Sequence, residues 1–194
     1  MSTHLSQTFQ SALQYAFSLH QKQRRKRSGV PYFSHLMAVC ALVLEDGGSE
    51  DEAIAALLHD AVEDQGGQST LSEIQEKFGS NVAEIVAACS DSYSFPKPPW
   101  RQRKEAFLNS LSEVPPGALR VILADKIHNL QTIFHDYLRI GDKVWKIFKG
   151  GRDGTLWYYA RIAAFFAEQP PGLLRDRFLD DYNTFSRTIN KDRA

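Results

Sequence analysis

Residues 55–64, Ala-Ala-Leu-Leu-His-Asp-Ala-Val-Glu-Asp, set an adjacent His-Asp pair and an adjacent Glu-Asp pair inside an otherwise apolar run. At about 100° per residue, His59, Asp60, Glu63 and Asp64 share one arc of a helix, and Ile54, Leu57, Leu58, Ala61 and Val62 take the opposite arc. Three carboxylates and an imidazole beside a buried face are costly unless something compensates them, and a bound cation is the obvious candidate. The stretch points to metal-dependent hydrolysis.

Nearly every other segment also has helical rather than strand period. Leu5, Phe9, Ala12, Leu13, Ala16 and Phe17 mark a first amphipathic helix that runs into a basic stretch. Ser28-Gly29-Val30-Pro31 reads as a turn, with Pro31 opening a second helix over residues 31–45. Gly47-Gly48 ends that helix, and the His-Asp helix is expected over residues 50–64. After a loop at residues 65–68, Thr70-Leu71-Ser72-Glu73 has the form of a capping box opening a short helix that Gly79 closes. Further helices are expected over residues 81–89, 100–111 and 118–138, the first two separated by the proline-rich Ser94-Phe95-Pro96-Lys97-Pro98-Pro99. Glycines at 150, 151 and 154 and Pro170-Pro171-Gly172 punctuate the last third. No repeat or linker divides the chain, so residues 1–194 are expected to form one all-α domain.

Composition excludes more than it proposes. Lys plus Arg and Asp plus Glu number 23 each, so no global field favours nucleic acid or a membrane surface. The local exception is Lys22-Gln23-Arg24-Arg25-Lys26-Arg27, which also reads as a solvated basic helix end. No apolar run reaches the ~18 residues of a transmembrane helix, and the start of the chain lacks the form of a signal peptide. Cys40 and Cys89 lie in apolar helical patterns without CxxC spacing, as expected of free thiols in a reducing compartment. A cytoplasmic protein is the expectation. Apolar residues in the C-terminal helices suit a homodimer interface as readily as a core.

The long helix repeats the logic of the His-Asp helix. Asp125, His128, Asn129, Thr132 and Asp136 fall on one stripe, and Leu123, Ile127, Leu130, Phe134 and Tyr137 lie away from it. His35, in Pro31-Tyr32-Phe33-Ser34-His35-Leu36, is a further candidate ligand. Neutral imidazoles with carboxylates suit a borderline divalent ion such as Mn²⁺, Fe²⁺ or Zn²⁺, and the lack of thiolates argues against a closed structural zinc site. Singly, each of these residues has a structural reading as a helix cap or a satisfied core group. A second basic and aromatic cluster, Lys97, Trp100, Arg101, Arg103 and Lys104, is placed to reach phosphates of an anionic ligand or to be surface charge. Trp157-Tyr158-Tyr159 follows the glycines, and Tyr158 is a candidate wall for the pocket.

The ordered set His35, Leu58-His59-Asp60-Ala61-Val62-Glu63-Asp64 and Leu123-Ala124-Asp125-Lys126-Ile127-His128-Asn129 resembles the HD superfamily of metal-dependent phosphohydrolases. Within it the chain is most similar to the hydrolase domain of RelA/SpoT homologues, in the stand-alone form of the small alarmone hydrolases. The similarity takes in Arg25-Lys26, Gly29-x-Pro31-Tyr32 and Thr132, and spans roughly residues 5–140, leaving helices over about 141–190 to pack on that core. The resemblance implies an HD-type helical bundle with His35, His59, Asp60 and Asp125 as ligands of one Mn²⁺. It implies Glu63 and Asp64 as the pair that positions and deprotonates the attacking water. It further implies Arg25 and Lys26 beside the nucleotide base, and Asn129 and Thr132 lining the nucleoside pocket. His20, which ends the first helix as the family's histidine does, is read as lying behind the ligands. The implied reaction is hydrolysis of the 3′-pyrophosphate of ppGpp or pppGpp, the alarmones of the stringent response, to GDP or GTP and pyrophosphate.

The chain departs from the family pattern in three places. Lys22 replaces a glycine, one extra residue precedes the turn at Gly29, and Leu36 stands where the family has proline after its first histidine ligand. The metal site is expected to survive these changes. The loop that holds the base is where reshaping is expected, so adenine alarmones such as ppApp stand beside ppGpp as substrates. Rival accounts are a broader HD nucleotide phosphohydrolase and an alarmone-binding sensor with a vestigial metal site.

Overall fold

The computed structural model describes residues 3–26, 28–92 and 96–191. Arg27, Ser94 and Phe95 of the sequence reading lie outside the described residues. The order is α1 (Gln7–His20), α2 (Phe33–Glu45), α3 (Glu50–Leu58), α4 (Ala61–Gln65), α5 (Gln68–Phe78), α6 (Ser80–Cys89), α7 (Trp100–Ser110), α8 (Pro116–Ile140), a 3₁₀ segment (Gly141–Ile147), α9 (Gly151–Ala167) and α10 (Leu173–Lys191). Extended pairing among the described residues is limited to one bridge, Arg24 with Pro31, so the expected all-α architecture is the observed one.

The centre of the molecule is α3. Every residue from Glu52 to Leu58 is buried, because α1, α2, α6 and α8 pack around the helix. Its alanines, Ala53, Ala55 and Ala56, are as buried as Ile54, Leu57 and Leu58, so α3 is apolar all round rather than on one arc. A full capping box starts it: the Ser49 Oγ accepts from the Glu52 N–H, and the Glu52 carboxylate accepts from the Ser49 N–H. The same Glu52 carboxylate accepts from Arg120 of α8 at 2.5 Å, tying the first turn of α3 to the first turns of α8. Gly117 makes this approach possible, since a Cβ there would lie 2.8 Å from the Glu52 Oε1.

Several sequence expectations are corrected. The His-Asp helix does not run through residues 50–64 but breaks at His59 and Asp60, and α4 starts afresh at Ala61. The His59 Nδ1 lies 2.8 Å from the Ala56 carbonyl, the acceptor that a continued helix would present to the Asp60 N–H. Pro31 does not open α2; it pairs with Arg24 across a tight turn, and the helix starts at Phe33. The capping-box pattern at Thr70 is not used, because Gly66 and Gly67 reverse the chain at positive φ and α5 begins at once at Gln68, burying Thr70 within it. Gly150, Gly151 and Gly154 are not simple loop punctuation. α9 begins at Gly151, and Cβ atoms on Gly150 or Gly154 would come within 2.7–3.0 Å of the Trp100 ring, which seats α7 on α9.

The C-terminal helices attach to the outer side of α8. Phe178 and Phe185 of α10 are fully buried; Phe178 meets Phe166 of α9, while Phe185 meets Phe134 of α8, Trp145 and Tyr159. The apolar stripe of α10 is thus covered inside the chain. No helix among the described residues is long and apolar enough to cross a membrane, and Cys40 and Cys89 are free thiols. Phe185→Ala is expected to lower unfolding free energy by about 3–5 kcal/mol, measured as a shifted urea midpoint with unchanged slope.

Candidate metal centre

Four side chains converge where the break after α3 faces the middle of α8. The Nε2 of His35 lies 3.1 Å from Asp125 Oδ1 and 3.6 Å from Asp60 Oδ2. The Nε2 of His59 lies 3.0 Å from Asp60 Oδ2 and 3.5 Å from Asp125 Oδ1. These atoms form a closed ring of alternating nitrogen and oxygen. Bonds of about 2.0–2.2 Å to a common cation put neighbouring donors about 3.0 Å apart at right angles, so the observed edges suit a divalent ion at the centre. His35, His59 and Asp125 are buried and mutually close enough to hold one.

The electrostatics favour the same occupant. His35 and His59 are 0% and 3% exposed, and neither Nε2 has a hydrogen-bond partner. Burial raises the carboxyls, but the facing imidazoles, with Lys126 beside Asp125, hold Asp60 and Asp125 well below the ordinary carboxylate range. Burial alone would lower His59; the negative charge of Asp60, with that of Asp125, instead holds it well above its ordinary value. Charge in this pocket therefore demands a positive partner. Two carboxylates and two neutral imidazoles match a divalent ion in net charge, and leave its remaining positions for water and substrate oxygens. Because His59 hydrogen-bonds through Nδ1 to a carbonyl, it carries its proton there and turns its Nε2 lone pair into the ring.

Around the ring each carboxylate is held by a second contact. Tyr32 donates its hydroxyl to Asp60 Oδ2 at 2.5 Å. Asn129 donates to Asp125 Oδ1 at 2.5 Å and accepts from Arg25 at 2.8 Å, so it links the metal side of the pocket to the turn carrying Arg25. Lys126 donates to Asp125 Oδ2 at 2.6 Å. Glu63 and Asp64, on α4, stand one turn beyond Asp60 and share Lys97, at 2.8 and 3.4 Å. Gln23 donates to Asp64 Oδ2 at 2.8 Å and itself accepts from Gln65 at 2.7 Å. Burial, then the nearby Asp91 carboxylate, raise the Glu63 pKa against the opposing Lys97. A part-buried carboxylate of raised basicity next to a cation site is suited to accept a proton from water.

The remaining sequence candidates divide. Arg25 lies over the Tyr32 ring at 5.6 Å and touches Asn129, so it faces the site. Lys26 is exposed in the same turn. Thr132 donates its hydroxyl back to the His128 carbonyl of its own helix. Arg103 and Lys104 are both engaged by the Asp91 carboxylate, and Arg103 Nη1 also lies 3.6 Å from Glu63. Tyr158 is buried with its hydroxyl unpartnered, between Lys104 and Lys126, whose ammonium groups lie 5.0 and 5.9 Å from its ring. His20 is buried and stacked on Tyr32, behind the ligands as expected. Sequence reading assigned no role to Tyr32, Gln23 or Asp91, and gave Lys126 only a structural one, as a partner of Asp125. A tyrosine three residues before His35 and a lysine next to Asp125 were visible signals; Gln23 and Asp91 become meaningful only when the chain folds them onto Asp64 and Arg103.

Residues 12–156 match the model of the HD domain. The chain belongs to the HD-domain family. Among its relatives is the human guanosine-3′,5′-bis(diphosphate) 3′-pyrophosphohydrolase MESH1, 36% identical over 125 residues that make up 63% of this chain and 67% of that protein. The Drosophila melanogaster MESH1 is 32% identical over 136 residues, 69% of this chain and 73% of that one. The bifunctional (p)ppGpp synthase/hydrolase SpoT of Escherichia coli is 34% identical over 120 residues, covering 59% of this chain and 16% of the longer protein. In fold, the chain is similar to a metazoan SpoT orthologue that hydrolyses ppGpp, with a TM-score of 0.74, 23% identity, and 96% and 97% of the two chains covered. The helical HD fold inferred from the motifs is therefore the observed one.

A divalent ion at a hundred times its dissociation constant is expected to raise stability by about 2.7 kcal/mol. Asp125→Ala should abolish this gain while leaving a folded protein, as read by thermal melts with and without Mn²⁺.

Proposed function

We propose that this HD-family chain is a metal-dependent hydrolase of (p)ppGpp-type alarmones, which releases pyrophosphate from the ribose 3′ position and leaves GDP or GTP. The observation that carries this reading is the ring of His35, His59 and Asp125, all buried, closed by the part-buried Asp60, with Glu63 and Asp64 one turn away. The similarity to MESH1 proteins over most of the catalytic length supports the substrate class. Mn²⁺ is the proposed ion, because nitrogen and oxygen donors without thiolate suit it and its preference for six ligands leaves room for water and phosphate. Residues 1–194 are read as one hydrolase unit, acting in the cytoplasm on a small nucleotide.

When bound, the ion supplies Lewis-acid stabilisation of charge developing on phosphate oxygen and lowers the pKa of water. The chain's own residues do the rest. Glu63 takes the proton of the attacking water, and Asp64, fixed by Gln23 and Lys97, orients it. The water oxygen bonds to the phosphorus on the ribose 3′ oxygen, the bond between them breaks, and the 3′ oxygen leaves as the nucleoside hydroxyl once protonated. Arg25, held by Asn129 over Tyr32, offers a planar guanidinium for stacking on the base. Lys26, exposed in the same turn, stands with Arg25 as a base contact, and Asn129 and Thr132 line the nucleoside side. Lys104, Arg103 and Tyr158 are proposed to meet the substrate's phosphates, with Arg103 and Lys104 held by Asp91. Stacking does not distinguish guanine from adenine, so ppApp remains the second substrate to test.

Purified protein given ppGpp or ppApp with Mn²⁺ is expected to release intact pyrophosphate with GDP or ADP, resolved by ion-exchange chromatography. Absence of turnover of both, with Mn²⁺ bound, would replace this reading with a broader nucleotide phosphohydrolase or a sensor. Glu63→Gln is expected to keep its Mn²⁺ and lose about 10²–10⁴-fold in kcat, measured in the same assay beside metal analysis; an unchanged kcat would remove Glu63 as the base.

A further inference from the structure

His128 has no part in the reaction as set out above, yet it makes one of the closest contacts in the site. Its Nδ1 lies 2.8 Å from the Nδ1 of His35, and the two rings are 4.8 Å apart at 41°. His35 is fully buried, and its other nitrogen, Nε2, points into the ring of metal donors without a hydrogen-bond partner. Both faces of His35 are therefore met by one helix. Asp125 of α8 approaches Nε2 at 3.1 Å, and His128, three residues on, approaches Nδ1.

A nitrogen-to-nitrogen contact of this length between imidazoles holds a single proton. If His128 donates it, His35 is left with its proton on Nε2, aimed at the carboxylates, and has no lone pair for a cation. If His35 donates it, its Nε2 lone pair faces the ring, and His128 accepts through Nδ1 while keeping its own proton on Nε2. The second ligand differs. His59 hydrogen-bonds to the Ala56 carbonyl, which can only accept, so its tautomer is fixed by the backbone. The tautomer of His35 is set by a side chain that can take either role.

We infer that His128 is a positioning residue for the metal centre: it accepts the Nδ1 proton of His35 and so presents His35 Nε2 as a ligand. This rests on the proposed metal reading of the ring. His128→Phe removes the acceptor and keeps a planar ring, whereas His128→Asn places an amide oxygen where Nδ1 stood.

The test is Mn²⁺ titration of the full-length metal-free protein, following the free-ion electron paramagnetic resonance signal. H128F is expected to weaken Mn²⁺ binding about 10–100-fold, and H128N to stay close to wild type. Turnover by H128F should be low at limiting Mn²⁺ and recover when Mn²⁺ is in excess. In ¹⁵N imidazole spectra of the wild type loaded with diamagnetic Zn²⁺, His35 should be protonated on Nδ1. Equal affinity of H128F and wild type, or a proton on His35 Nε2 in the loaded protein, overturns the inference; the spectrum decides it even if H128F does not fold. Failure of the wild type itself to bind Mn²⁺ would instead overturn the metal reading, and this inference with it.

Discussion

Two imidazole nitrogens and two carboxylate oxygens face one another at 3.0–3.6 Å inside a helical core, and the rest of the structure is arranged around that confrontation. Nothing in the apolar surroundings relieves it. The five residues before His59 are all buried, as are Ile122, Leu123 and Ala124 before Asp125. Such a cluster persists only if proton or cation supplies the missing positive charge. The break in the helix after Leu58 follows from the same demand, since His59 turns one nitrogen back to the Ala56 carbonyl and leaves the other for the ring.

Outward from the ring, charges alternate in sign. Asp125 meets Lys126; Glu63 and Asp64 meet Lys97; Asp91 meets Arg103 and Lys104. Each carboxylate is therefore oriented before any substrate arrives, which is the arrangement that favours transition-state stabilisation over reorganisation. It also changes the meaning of the basic cluster on α7. In sequence it reads as free positive charge; in the fold Arg103 and Lys104 share the one Asp91 carboxylate, which offsets part of it. A phosphate approaching them meets paired groups, and any contact it gains must compete with that carboxylate.

The mechanical frame is equally specific. The Glu52 carboxylate joins the start of α3 to Arg120 on α8, and so helps set how the break after α3 faces the helix that carries Asp125. On the far side, α10 covers α8 through Phe185 on Phe134, and α9 backs α10 through Phe166 on Phe178, so the helix carrying Asp125 is supported there as well. Trp100, seated on the Gly150 and Gly154 backbone, brings α7 and its charged face to the same opening.

Much of this was legible in the chain. Helical period and the long helix came directly from apolar spacing, because a helix must hide one stripe whatever its partners, and the break at Gly79 came from the glycine itself. The HD motif identified the four ring residues, since the paired acids and histidines are unstable apart from a cation. What periodicity could not reveal was the break at His59: a side chain competing for one carbonyl leaves no mark on a 3.6-residue pattern. Nor could it distinguish the unused capping box at Thr70 from the real one at Ser49, since both fit the Ser/Thr-x-x-Glu pattern and differ only in where the helix starts, at Gln68 before Thr70 but just after Ser49. The identity of the donors was thus determined by the sequence alone. Their facing geometry, the Gln23 and Tyr32 contacts and the pairing of His35 with His128 were decided by tertiary structure, because they join residues 28 to 93 positions apart whose meeting depends on how whole helices pack.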